Sequence, residues 1–285
     1  MRFLLLGLVT GSLYSLSAVA LVLVHRATGI LNFAQGAVGM TATFTFLAVL
    51  SRYPAGLALA AALAVAALLG SGLHLLTAAA GERRLEATVL TIAALGLLQA
   101  AATPLFGGHP VSLTRLLPLG SIAVGGARIG TDEVTAAAIA LAACGLVILL
   151  VQRTRIGLVA RAIAERPRVA AAVGIDDRPV LLGVWVAAST LGAMAGILLL
   201  TLQPSSDAAA LTLVVFDAFA AALLGRLVSL PGAVAGGLLV GVISEAATGL
   251  LGVPGAGEAA TFLVMVGLLV LRPPLAVRGG PAAAF

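Results

Sequence analysis

Apolar residues run along this chain in blocks of about twenty, the length a helix needs to cross a bilayer. Polar residues fall between the blocks rather than alternating within them. The first block covers residues 3–24 and ends at His25 and Arg26. The next strictly apolar run, 37–50, is too short to cross alone. It reaches the required length only when the helix begins near Gly29, which draws Asn32 and Gln35 into the membrane. Further spans follow at 57–80, 87–106, 133–151, 179–202, 208–224 and 230–251, with a short one at 258–271. The pattern predicts an all-α, polytopic integral membrane protein with about eight or nine transmembrane segments, one broken or re-entrant near residues 29–36. Residues 1–271 form a single membrane domain in this reading, and the Pro/Gly/Ala-rich stretch 272–285 a disordered cytoplasmic tail.

Two stretches interrupt the apolar pattern in a way that points to function. The first is Gly29-Ile30-Leu31-Asn32-Phe33-Ala34-Gln35-Gly36. Amides inside a bilayer are costly unless they face a bundle interior or water. Asn32 is placed to cap the helix running on to residue 50, and a broken helix is tolerated only where protein buries it or a cavity adjoins it. A simple cytoplasmic turn with an N-cap is the plainer alternative.

The second stretch, 152–178, is the only extended charged segment. Ile156, Val159 and Ile163 recur at helical spacing, while Arg161, Glu165 and Arg168 are polar. That describes an amphipathic helix along the cytoplasmic face, which Pro167 either breaks or restarts as a second turn, with Gly174 placed as a C-terminal cap. A solvated loop whose arginines set topology, or a helix resting on anionic lipid, fits the same pattern.

Composition narrows the class. Hydrophobic residues make up 61% of the chain and charged residues 9%, against about 25% charged in a soluble domain. All 16 basic residues are arginine, so the lysine that a P-loop uses to reach phosphates is missing and ATP cannot be bound in that way. Six arginines lie between Arg153 and Arg178, two at Arg83 and Arg84, and Arg272 and Arg278 follow the last span. Placing those regions in the cytoplasm satisfies the positive-inside rule and, with nine crossings, puts the amino terminus outside and the carboxyl terminus inside. No basic run is interleaved with aromatics, which argues against nucleic acid.

Cys144 is the only cysteine, and His25, His74 and His109 occupy different segments without metal-ligand spacing. No cofactor, metal or catalytic constellation is expected. Asp217 reads as lying near the solvated outer end of its span. Glu245, His74 and Gln99 read as interhelical hydrogen-bond partners.

The charged stretch also carries a resemblance. The run from Arg153 through Ile156, Gly157, Arg161, Ile163 and Glu165, continuing to Gly174 and Ile175, resembles the cytoplasmic loop of the branched-chain amino acid ABC importer permeases of the LivH/LivM type. The stretch with Asn32, Phe33, Ala34 and Gly36 is similar to that family's first loop. So are Leu224-Gly225 and, beyond them, Ser229, Pro231, Gly232, Gly236, Gly237 and Glu245, in the family's order and closer to LivH. Arg226 stands where the family usually has a second glycine, Asp217 where a basic or neutral residue is commoner, and Ala42-Thr43-Phe44 where Gly-Ala-Tyr is frequent.

The resemblance implies a non-enzymatic permease subunit in the cell membrane, forming half of a translocation pore for branched-chain or related small amino acids. Its partners would be a second permease subunit, two cytoplasmic ATPases and an extracytoplasmic substrate-binding protein. Asn32, Phe33, Gln35 and Gly36 would border the pore. Ile156, Gly157, Arg161, Ile163, Glu165, Arg168 and Gly174 would couple to the ATPase, and Pro231, Gly232, Gly236, Gly237 and Glu245 would be structural. A stand-alone secondary transporter using Asn32, Asp217 or Glu245 at midplane is the competing expectation.

Overall fold

A helix that is apolar on every side is stable only when covered on every side, and α1 (Arg2–Thr28) is that helix: residues 11–24 are buried without interruption. The computed structural model of the chain describes residues 2–81, 83–106, 120–124, 127–202, 208–253 and 255–271. Within them α1 is followed by α2 (Gln35–Leu50), α3 (Ala55–Ala78), α4 (Arg84–Phe106), strands β1 (Ser121–Val124) and β2 (Ala127–Gly130), α5 (Thr131–Arg153), α6 (Arg155–Glu165), α7 (Pro167–Ala172), α8 (Arg178–Leu202), α9 (Ala208–Leu224), α10 (Leu230–Leu251) and α11 (Ala256–Leu271). α5, α8, α9 and α10 all pack on α1, and a second layer of α2, α3 and α8 continues from it.

The tightest seam joins α1 to α10 through small residues. A Cβ added at Gly7 would lie 2.6 Å from Val242 Cα, and one at Gly11 2.8 Å from Gly237 O. The Ser15 hydroxyl bridges the same seam, 2.8 Å from Val234 O. Such close approach supplies packing where lipid offers no hydrophobic drive between helices.

Each of the nine apolar runs forms a helix, and the long, nearly all-helical chain is that of a multi-pass membrane protein. Among the described residues six helices are long and apolar enough to cross a membrane. α2, α9 and α11 have only 16, 17 and 16 residues. Outward faces are apolar too: Leu68, Leu75, Leu97 and Leu250 are exposed, a surface suited to lipid rather than water.

One element departs from the all-helical expectation. The 107–132 connection contains an antiparallel hairpin with Ser121 opposite Gly130 and Val124 opposite Ala127. It leads into α5, whose first turn is held by the Glu133 carboxylate accepting from the Gly130 N–H at 2.9 Å. His109 and the 272–285 tail lie outside the described residues.

Candidate functional site

The interruption after α1 is a closed polar knot. Thr28 and Gly29 end α1, with Gly29 at φ +74° and its N–H 2.7 Å from His25 O. A left-handed residue there is a common helix stop. The Arg84 guanidinium lies against Gly29, so a Cβ would meet its Nη1 at 2.7 Å. The chain then turns inward. The Phe33 N–H donates to Thr91 Oγ1 at 3.2 Å, and that hydroxyl lies 2.9 Å from Leu31 O. The Phe33 ring packs on Phe219 of α9, centroids 5.5 Å apart.

Asn32 and Gln35 face each other within this turn. Both are buried, at 1% and 2% exposure. Asn32 Nδ2 donates to Gln35 Oε1 at 3.1 Å, and Gln35 Nε2 donates to Ala188 O on α8 at 2.7 Å. The expected N-cap role of Asn32 is corrected: α2 begins at Gln35, its N-cap is Ala34, and no side chain caps it. The Asn32 side chain is turned to Gln35 instead, which leaves Asn32 Oδ1 buried without a partner. Such an acceptor costs about 1–3 kcal/mol.

Glycines let the neighbouring helices close over the knot. A Cβ at Gly192 of α8 would overlap Gln35 Nε2, and one at Gly36 would overlap Thr212 O of α9. Gly36, Gly39, Gly192, Gly196, Leu211 and Val215, with Ser17 and Gln35, border a cavity of about 20 Å³. That is room for about one water. Gly192, Gly196 and Thr91 were absent from the sequence-derived set. The four-residue spacing of the two glycines was a usable signal; a single threonine on α4 carries none.

The amphipathic stretch is two helices, α6 and α7. Thr154 caps α6, its hydroxyl accepting from the Gly157 N–H at 3.2 Å. A Cβ at Gly157 would overlap Val151 O, so glycine alone permits the corner between α5 and α6. Arg161 folds back, Nε to Gly157 O at 3.3 Å and Nη2 to Gln152 O at 3.4 Å. The expected apolar stripe is only partly covered. Ile163 is buried, whereas Ile156 is 76% exposed and borders an open apolar groove between α6 and the ends of α1, α5 and α8. Leu158 and Glu165, two turns apart on one face, are exposed, as are Val169 and Val173 on α7 and after it. Gly174, at φ +82°, closes α7, and the Ile175 N–H reaches Ala170 O at 3.1 Å. The side chain of Arg168 lies outside the described residues.

The third group sits on α10. Ser229 caps the helix, accepting from the Gly232 N–H at 3.0 Å, and Pro231 opens it exposed. Gly236 abuts Ala221 O of α9 and Gly237 abuts Ser15 of α1, wedging α10 between them. Glu245 accepts from Thr10 Oγ1 at 3.0 Å. Asp217 is a correction: it lies mid-helix in α9 at 8% exposure, beside Tyr14 and Thr261, not at a solvated end. Neither His74 nor Gln99 makes an interhelical side-chain hydrogen bond among the described residues. Nor do those residues bring three metal-ligating side chains together.

Residues 3–272 match the family model described as branched-chain amino acid transport system, permease component. The chain is similar to the high-affinity branched-chain amino acid transport system permease protein BraD of Pseudomonas aeruginosa, with 28% identity over 93% of this chain and 90% of the relative. It is also similar to LivH of Salmonella typhimurium, at 27% identity over 96% and 94% of the two chains. A probable LivH of Methanocaldococcus jannaschii shares 25% identity over 94% and 89%.

Proposed function

The chain belongs to the branched-chain amino acid transport permease family, and from that premise we propose that it forms half of the translocation pore of an ABC importer, driven by separate ATPase subunits. In this reading residues 1–271 are one membrane domain, the amino terminus is outside and the carboxyl terminus cytoplasmic. Arg84 beside the end of α1, and α6 packed against α1, α5 and α8, support the orientation. Those contacts gather arginine-rich segments at one end of the bundle, as the positive-inside rule requires. The nine apolar helices are nine crossings, with α2 the broken one. Its 16 residues reach roughly 24 Å at 1.5 Å per residue, short of the hydrocarbon core of about 30 Å.

The observation that carries the pore assignment is the buried Asn32–Gln35 pair. Polar side chains inside an otherwise apolar bundle are retained at transport pathways. A 20 Å³ cavity does not pass an amino acid, so the knot is a closed gate that opens when α2 separates from α8 and α9. Its leucine, valine and glycine border suits a small apolar side chain, in keeping with the branched-chain amino acids named for the relatives. The partners are a second permease subunit, two cytoplasmic ATPases and an extracytoplasmic binding protein. α6 offers the ATPases its exposed Leu158 and Glu165, and α7 its exposed Val169; α6, packed on α1, α5 and α8, is able to carry a push to the bundle.

Cysteine scanning tests the gate. Asn32→Cys or Gln35→Cys, placed in a Cys144→Ala background, reacts with a small polar thiol reagent during turnover and is slower at rest. Equal protection in every transport state contradicts the assignment. Alanine at Glu165, Arg166 and Arg168 should release the ATPases on purification while leaving the permease inserted; unchanged co-purification contradicts the docking face.

A further inference from the structure

A second cavity lies at one end of the bundle, apart from the gate. Its volume is about 500 Å³, within the range of sites that hold a drug-sized or larger apolar ligand. The walls come from the last turns of α1 and α5, the inner side of α6 and the first turns of α8. Leu23, Val147, Leu150, Val180, Val184 and Ala187 make them apolar. Two charges border the groove, Arg26 at the end of α1 and Arg161 on α6, and no carboxylate does. Arg161 is tethered to the backbone at the α5–α6 corner, and neither arginine has an ion-pair partner among the described residues.

The place and chemistry select the occupant. The groove sits where spanning helices end, at the level of lipid headgroups, and opens beneath a helix lying across those ends. An apolar slot with guanidinium groups at its border matches an acyl chain attached to an anionic head. Basic pockets between transmembrane helices bind anionic lipid headgroups in this manner. A soluble anion would leave the apolar wall uncovered, and a neutral lipid would leave two arginines unanswered. We propose that this groove is a binding site for an anionic phospholipid, seated behind α6 with its phosphate between Arg26 and Arg161. The lipid would thereby brace the helix that faces the cytoplasmic partners. The assignment does not depend on which solute the protein carries.

Leu150→Trp in a Trp185→Phe background supplies the reporter: Leu150 lines the groove and is half-exposed, whereas Trp185, the only tryptophan, is buried and is not part of the wall. The full-length chain carrying that single tryptophan is placed in neutral bilayers containing a small fraction of phosphatidylglycerol or phosphatidylcholine with brominated acyl chains, and quenching of the tryptophan is measured. Phosphatidylglycerol should quench several-fold more than phosphatidylcholine at equal mole fraction. Arg26→Gln combined with Arg161→Gln should reduce it to the phosphatidylcholine level. Gly183→Leu should lower the phosphatidylglycerol signal with both arginines intact, because a Cβ at Gly183 meets nothing within 4 Å and the added side chain enters the groove. Equal quenching by the two lipids, or a preference that survives these substitutions, overturns the proposal. Relief of the quenching on adding purified ATPase subunits would assign the groove to a protein partner and overturn it as well.

Discussion

Gln35 ties α2 to α8 through one amide, and it also occupies the Asn32 amide that would otherwise be buried alone. Gln35→Leu therefore removes two hydrogen bonds and leaves Asn32 without its partner, a loss of about 1–3 kcal/mol. The thermal midpoint of the purified protein should fall accordingly. Gly192→Ala should lower the midpoint as well, since its methyl overlaps Gln35 Nε2, whereas Gly96→Ala and Gly145→Ala meet nothing and should leave it unchanged. Arg226 offers the opposite sign. It holds φ +60° beside Leu227 at +55°, a left-handed conformation costing about 1 kcal/mol outside glycine. Arg226→Gly should raise the midpoint in a melting experiment. At this scale the sequence was informative about which residues are unusual, because an amide or an acid in an apolar run stands out. Their partners were not legible: Asn32 turned from the helix cap to Gln35, and Asp217 proved buried, since contacts depend on how distant helices pack.

Among the elements, α6 depends on a corner that only small atoms permit. Thr154 caps it and Gly157 clears the Val151 carbonyl. Thr154→Ala should cost about 1 kcal/mol and leave transport measurable. Gly157→Val should displace α6 and abolish substrate-stimulated ATP hydrolysis in the assembled complex, while both ATPases still hydrolyse ATP on their own. Helical periodicity located this element because charge and apolar positions alternate at 3.6 residues. It misjudged Ile156, which borders the groove, since periodicity identifies a face without saying how closely the bundle packs against it. The β1–β2 hairpin escaped notice for a related reason. Two four-residue strands around Gly125-Gly126 carry the pattern of a two-residue hairpin turn, but they sit inside a long connection that reads as loop.

Across the whole molecule, the order of apolar blocks led to eight or nine segments, and the described residues form nine apolar helices; the small-residue content foretold close packing. Which helix is central was not readable, because α1 and α3 are both apolar runs long enough to cross a membrane, and burial depends on what packs around each. The α1–α10 seam is where that arrangement is most vulnerable. Gly241 abuts Gly11 and the Gly7 carbonyl, so Gly241→Leu should cost about 1–3 kcal/mol or more by overpacking. The outcome to expect is aggregation on detergent extraction, seen by size-exclusion chromatography.

The central claim is that this chain is a passive half-pore whose work is done by other subunits. It is tested most directly by uptake of radiolabelled leucine, isoleucine or valine into proteoliposomes containing the chain with its sister permease, ATPases and binding protein. Accumulation should require ATP and the binding protein and should vanish when the permease is reconstituted alone under an ion gradient. Gradient-driven accumulation by the isolated chain would contradict the account and identify a secondary transporter.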